Sequence, residues 1–566
     1  MAAYVVSVDN LGEIKILGGN ITPVVNWLAF CVLAAVGLIA AILVISNGTS
    51  STEFLTQETA KVKRCHFCVI LLIFILYKLF AFYITPAATQ YMWVWPDGAG
   101  FLSDTQRILE NPAILLNDPM KSKFYSAWLA INHVLFGNII GPLGEYKAFG
   151  YTIIVNHVIA PIFMQNIIGI LSALICFSIF SKINIKLAYA VTLLSFLNPT
   201  ALAVDNTLLR ESLTLFFLLS ALAVFIKAVR QGSSLFCFLS GILFIVVYQF
   251  RPETILIYVL LCGILFVHNL FREQKIWKAV FLFFLPLVLI IFFASNNLSY
   301  KYAADTNKGR FGIAMHGLKS KCYFYDSPTF PGFFENMQKR LTKLEKERFA
   351  PCDAPCSTWQ LVWFAADEEK ARYNQSIVGE EPGKCVKIES DDQIFLDIVR
   401  YNTFYYLQSV LMNIGYNLIH NLENISPILY DGNNYWISRN WVYYTTPRML
   451  VLYENNKPQY KIITAFFKAV ELYTTRKILF PFLIIGSFLI LGLGWRRLLK
   501  DNKGNAFLLL CTLVIAWVHL LAVSVMAYPA ARLVYVLIPF IFTIEIIGVF
   551  GAFYWLKSLF FKKLKD

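Results

Sequence analysis

GILFIVVYQFRPETILIY, residues 241–258, decides the fold class. An apolar run stops at Arg251-Pro252-Glu253, and a second apolar run starts at once. Proline cannot extend the helix before it, so the charged triplet marks a tight turn between two apolar helices. In a soluble domain the turn between two core helices reaches water along with charged helix faces. Here the flanking helices are apolar nearly all round, which is the pattern of a membrane hairpin.

The rest of the chain agrees. Of 566 residues, 58% are hydrophobic and 15% charged, and mean hydropathy is +0.59. Soluble domains carry roughly 25% charged residues, so most of this surface faces lipid. The net charge of +14 does not point to nucleic acid, because the Lys and Arg residues sit at the ends of apolar runs. Eleven runs approach the roughly 20 residues needed to cross a bilayer: 26–46, 67–85, 155–180, 186–204, 211–229, 234–250, 253–270, 276–295, 479–497, 506–527 and 532–556. The first lacks the basic stretch and cleavage site of a signal peptide.

Basic residues set the topology. Lys61, Lys63 and Arg64; Lys182 and Lys186; Lys227 and Arg230; Arg272, Lys275 and Lys278; Arg496, Arg497, Lys500 and Lys503; and Lys557, Lys562, Lys563 and Lys565 fall in alternate connections. Placing all of them in the cytoplasm puts the N-terminus outside and the C-terminus inside. Two long loops, 86–151 and 296–478, then lie outside. The fold expected is an all-α polytopic membrane protein of about eleven transmembrane helices, with amphipathic juxtamembrane helices and a large outer loop domain. Its units are 1–66, an extra span with its cytoplasmic connection; 67–295, the membrane core; 296–478, the outer domain; and 479–566, the last spans and a basic tail. In the first loop, Phe101, Ile108 and Leu109, then Tyr125, Trp128 and Leu129, have helical spacing. Residues 333–349 read as a solvated helix.

Cys322, Cys352, Cys356 and Cys385 share the outer domain, while the other seven cysteines lie in or beside apolar runs. An even set in an exposed loop suits two disulfides in an oxidising compartment. Zinc is the rival, but Cys352 and Cys356 have no second close pair.

Topology brings distant charges to one membrane depth. Asp97 and Asp104 open the first outer loop, Arg210 and Glu211 mark the outer end of one span, Arg251 and Glu253 form the turn quoted above, and Arg532 opens the last span. Arginine holds a phosphate through fixed donors, and a carboxylate takes the proton from an attacking hydroxyl. Such a group fits the headgroup of a phosphate-bearing lipid better than single charges snorkelling at helix ends.

These residues resemble the GT-C glycosyltransferases, in particular the polyprenyl-phosphate-sugar (dolichyl-phosphate-mannose-type) mannosyltransferases. Pro96-Asp97-Gly98-Ala99-Gly100-Phe101 resembles the family's first-loop pattern. MQNIIGILSALICFSIF (164–180), NPTALAVDNTLLRESLTLFFLLSALAVF (198–225), GILFIVVYQFRPETILIY (241–258) and YPAARLVYVLIPF (528–540) resemble successive family helices. The resemblance spans roughly 60–270 and 480–557. It implies a GT-C-like bundle that moves a sugar from a polyprenyl-phosphate donor to a glycan, lipid or protein acceptor. It makes Asp97 the base and Arg251 and Arg532 the donor-phosphate ligands, with Arg210 a further candidate and Glu211 and Glu253 in support. Gly98 stands where many relatives carry a second acid, so Asp104 competes with Asp97. Neither the run 26–46 nor the domain 296–478 has a counterpart there.

The alternatives are a polymerase or ligase of polysaccharides on diphosphate-linked donors, and a transporter. Transporters show inverted repeats, which are missing here. The sequence has no phosphate-binding Walker loop, no HExxH and no GxSxG. Asp391-Asp392 is a candidate for a divalent ion, but an adjacent acidic pair in a polar loop is usually solvated surface, so no obligatory metal or cofactor is expected. Within the spans, Glu545 is expected to pair with Lys78 or His519, since an unpaired buried charge is costly. The compartment expected is a bacterial inner membrane with the site facing the periplasm. The endoplasmic reticulum is the alternative, where Asn297 and Asn374 would be glycosylation sites.

Overall fold

The computed structural model describes residues 7–8, 14–15, 64–84, 92–93, 96–117, 123–137, 142–148, 151–156, 159–197, 201, 204–205, 208–270, 276–295, 327–349, 358–377, 387–388, 391–404, 406–407, 410–411, 414–415, 476–498, 505–526 and 535–563. Ten of the eleven apolar runs form helices. These are α1 (Arg64–Ile84), α5 (Ile159–Phe180), α6 (Ile185–Phe196), α7 (Glu211–Gln231), α8 (Ser234–Phe250), α9 (Ile255–Leu270), α10 (Ile276–Ser295), α14 (Arg476–Leu498), α15 (Asn505–Met526) and α16 (Ile538–Lys563). The run 26–46 lies outside the described residues.

Among the described residues, three helices are long and apolar enough to cross a membrane: Ala160–Phe180, Glu211–Gln231 and Asn505–Val525. The chain is thus an integral membrane protein by length and composition of its helices, and three of the eleven expected spans meet that measure among the described residues. Several of the helix ends have local causes. α8 stops where Arg251-Pro252 turns the chain, through a 3-10 turn at Pro252–Thr254. α6 was expected to run to 204 but ends at Phe196, two residues before Asn198, whose helical backbone Pro199 disfavours. α7 ends on Gly232, whose φ of 61° is the left-handed cap that glycine adopts without strain.

Several of the helices pack against partners one or more helices away in sequence. α7 lies against α5 and α8, α8 against α10, α9 against α10 and α15, and α14 against both α15 and α16, while α16 also meets α6. In lipid there is little hydrophobic force between helices, so close backbone approach has to hold them. α14 and α16 achieve it with glycines. A Cβ on Gly486 would collide with the carbonyl oxygen of Ile544, and one on Gly548 with that of Phe482. Tyr258 of α9 donates to the carbonyl of Phe283 in α10, one turn before Pro286 interrupts that helix. At the opposite end from Arg251, Arg230 of α7 donates to Asn505 of α15 at 2.8 Å.

The first outer loop holds α2 (Pro96–Glu110), α3 (Ile114–Asn117) and α4 (Lys123–Phe136), as the spacing predicted. It departs from an all-α chain in one respect. Met92–Trp93 (β3), Pro142–Ala148 (β4) and Tyr151–Asn156 (β5) form a small antiparallel sheet in the order β3-β5-β4. A second, two-stranded pairing joins Ser7–Val8 (β1) to Ile14–Lys15 (β2). In the hairpin of β4 and β5, Tyr146 and Lys147 stand opposite Ile153 and Thr152. In the outer domain, the solvated helix predicted at 333–349 is α11 (Phe333–Phe349). It pairs with α12 (Thr358–Ser376) through Phe333 and Tyr373, and through an Arg340–Glu368 ion pair at 2.5 Å. Asn374 spends its amide on the backbone of Ile388, accepting at 2.9 Å and donating at 2.8 Å. Asp391-Asp392 opens α13 (Asp391–Tyr401), where carboxylates complement a helix N-terminus.

Gly486→Ala should lower stability by about 2 kcal/mol, since the α14–α16 contact has no room for a methyl. Gly492→Ala, on the same helix with nothing within 4 Å of its Cβ, should leave it unchanged. Thermal unfolding of the two variants in one detergent compares them directly.

Candidate functional site

Of the charges that topology is expected to bring together, Glu211, Arg251 and Glu253 meet at one end of the bundle. Arg251 caps α8 and is 1% exposed. Its guanidinium forms an ion pair with Glu211, in the first turn of α7, and a second with Glu253 at 2.8 Å. The buried arginine thus lies between two carboxylates rather than on an open face. Two acids face the guanidinium that the resemblance assigns to the donor phosphate. The Thr254 hydroxyl donates to the Arg251 carbonyl and tightens the turn. Burial opposes ionisation of Glu253, yet Arg251, His519 and Arg210 acting against it bring its carboxyl down to about 2. The 3-10 turn also packs on α15, which carries His519.

A second buried ion pair lies beside the first. Lys78 of α1 pairs with Asp205, and Asp205 is fully buried. Lys78 therefore has a partner other than the expected Glu545, which is itself buried in α16. Asp205 is a hub. Ser212 donates to it at 2.5 Å, the Tyr535 side chain hydrogen-bonds it, and its carbonyl accepts from Gln165 at 3.2 Å and from Asn166 at 3.4 Å. Gly169 of α5 leaves the space for this pair, for a Cβ there would strike the Asp205 carboxylate and crowd the Lys78 amine. Asp205 was missed from the sequence, although the signal was there: it is a lone acid between two apolar runs, and Lys78 needed one.

The first-loop helices are docked on this end. Phe101 and Leu102 of α2, Tyr125 and Leu129 of α4, Ile162 of α5, Leu208, Leu213 of α7 and Phe250 of α8 form one buried cluster. Phe101 and Tyr125 meet edge to face at 4.8 Å. Tyr125 donates to Gln165 at 2.7 Å, which in turn reaches Asp205. Burial, then the nearby Glu211 carboxylate, raises the Tyr125 phenol well above its ordinary range, so it stays a hydrogen-bond donor at neutral pH. Asp97 and Asp104 belong to α2 and so share this end with Arg210, Glu211, Arg251 and Glu253. Asp104 pairs with Arg107 at 3.3 Å on the helix surface. Arg532 and the four outer cysteines, Cys322, Cys352, Cys356 and Cys385, lie outside the described residues. Among the described residues, no three His, Cys, Asp or Glu side chains gather as metal ligands would.

No family model matches the chain, and no curated protein matches it. Among solved structures, the chain is similar to the crystal structure of ArnT from Cupriavidus metallidurans bound to undecaprenyl phosphate. The two are 11% identical, over 84% of this chain and 77% of that one, with a TM-score of 0.30. A score that low carries no argument, and the functional reading rests on this chain's own geometry.

Two expectations follow from the buried pairs. Lys78→Met leaves Asp205 charged and buried, and should cost about 3 kcal/mol or more. Lys78→Met with Asp205→Asn removes the stranded charge and should recover part of the loss, as chemical denaturation would show. For Glu253, the folded carboxyl lies below its ordinary 4.5, at about 2. Its contribution is complete above pH 4.5 and fades as pH falls toward 2. The gap in thermal midpoint between wild type and Glu253→Gln should therefore be widest above pH 5 and narrow on acidification.

Proposed function

We propose that the chain is a membrane glycosyltransferase that takes a sugar from a polyprenyl-phosphate donor. The observation that carries this reading is the docking of α2, the helix of Asp97 and Asp104, onto the bundle end that gathers Arg210, Glu211, Arg251 and Glu253. A carboxylate held over a set of helix-end arginines at headgroup depth supplies the two things this transfer needs. One is a base for the acceptor hydroxyl, and the other is positive charge for the departing phosphate.

In this reading Asp97 is the base, with Asp104 its competitor. Arg210 and Arg532 bind the donor phosphate. Arg251 acts behind them, since its two ion pairs fix Glu211 and Glu253 and so set where the outer turn and α7 stand. The attacking hydroxyl gives its proton to the carboxylate as its oxygen bonds the anomeric carbon. The bond from that carbon to the phosphate oxygen breaks, and polyprenyl phosphate leaves with the electron pair. The acceptor is a glycan, lipid or protein, and the membrane is a bacterial inner membrane with the site facing the periplasm.

Asp97→Asn keeps side-chain size and removes the base. With a panel of polyprenyl-phosphate sugars and a membrane extract as acceptor, release of polyprenyl phosphate should fall on the order of 100-fold or more. Retention of full activity in Asp97→Asn with loss in Asp104→Asn moves the base to Asp104. Consumption of diphosphate-linked glycans alone, by wild type, replaces this reading with that of a polymerase or ligase.

A further inference from the structure

A second feature lies away from the charged end, between α9 and α10. There the two helices leave an open groove of about 680 Å³, lined on one side by Val259, Cys262, Gly263 and Phe266 and on the other by residues that include Lys278 and Phe281. Its walls are apolar, and Phe281 is 61% exposed. The groove is open at Gly263, where a Cβ would meet nothing within 4 Å. Any lipid-facing groove is covered by some acyl chain, so the apolar walls alone select nothing. The selecting feature is Lys278. Among the described residues that line the groove it alone is charged, and it stands exposed in the first turn of α10, at the groove's end. Arg272 and Lys275 precede it in the chain, which makes this connection one of the basic ones assigned to the cytoplasmic side. Basic residues at the mouth of an apolar cleft between membrane helices are the recognition pattern for an anionic lipid headgroup.

We infer that the α9–α10 groove binds an anionic phospholipid of the cytoplasmic leaflet, with an acyl chain between the helices and its phosphate at Lys278. This site is independent of the transfer reaction and stands whether or not that reading does. Its lipid holds α9 and α10 together on the side where they do not touch, and so supports the hairpin that carries Arg251 and Glu253.

Phosphatidylglycerol and phosphatidylcholine are the probes. The full chain is purified in detergent, each lipid is added in turn, and native mass spectrometry measures the first bound lipid. Wild type should prefer phosphatidylglycerol. Lys278→Gln should weaken it about fivefold, the effect of one basic residue near a charged headgroup, and leave phosphatidylcholine unchanged, while Lys278→Arg retains the preference. Gly263→Leu should weaken both lipids, because the new side chain occupies the groove. Both sites are open, so the variants should unfold at the wild-type temperature, which the same samples report. Equal binding of the two lipids by wild type, or unaltered binding in Gly263→Leu, overturns the proposal. Displacement of phosphatidylglycerol by millimolar inorganic phosphate also overturns it, in favour of a site for a soluble anion.

Discussion

Charge buried among apolar helices has to be neutralised on the spot, and this constraint shapes the end of the bundle where the site is proposed. An unpaired ion deep in a low-dielectric interior costs several kcal/mol, and the loss of one partner from a buried pair is more damaging than replacing both. Arg251 meets that demand with Glu211 and Glu253, and Lys78 meets it with Asp205. Each pair also ties distant parts of the chain together. The first joins α7 to the α8–α9 turn. The second joins α1 to the segment before α7, and through Gln165, Asn166 and Tyr535 to α5 and the start of the last apolar run.

The two networks meet through the first outer loop. Tyr125 lies within the field of Glu211 and donates to Gln165, which holds the backbone of Asp205. The same tyrosine packs on Phe101 of α2. The helix that carries the acidic candidates is therefore seated by an aromatic contact on one side and a hydrogen-bond chain on the other. A rigid support of this kind is what a site needs if a base and a phosphate clamp are to stay in register. Among the described residues of α2, Phe101, Leu102, Thr105 and Ile108 are the buried ones.

Much of this was legible in the residues. The apolar runs read as helices because lipid leaves the backbone no other way to satisfy its hydrogen bonds, and the Arg251-Pro252-Glu253 turn read as a hairpin because proline ends a helix. Convergence of Glu211, Arg251 and Glu253 followed from topology alone. What the sequence did not reveal was pairing. Arg251 looked like a phosphate ligand and turned out to be flanked by two acids. Lys78 was matched to Glu545 by depth along a straight helix, but its side chain reaches Asp205, which lies between two apolar runs. The small sheet β3-β5-β4 was missed because β3 is two residues long and lies three helices before the β4–β5 hairpin, whose second strand ends at the start of the apolar run read from 155. Contacts between residues far apart in the chain depend on how helices rotate against each other, and periodicity does not encode that rotation.

The central claim is that the Arg251 end of the bundle binds the phosphate of a polyprenyl lipid. Native mass spectrometry of the purified full chain with polyprenyl phosphate, and with the matching polyprenol, tests it without knowledge of sugar or acceptor. The account predicts that the phosphate form binds about tenfold or more tightly than the alcohol, and that Arg210→Ala with Arg532→Ala erases the difference. Equal binding of the two lipids by the wild-type chain would contradict it.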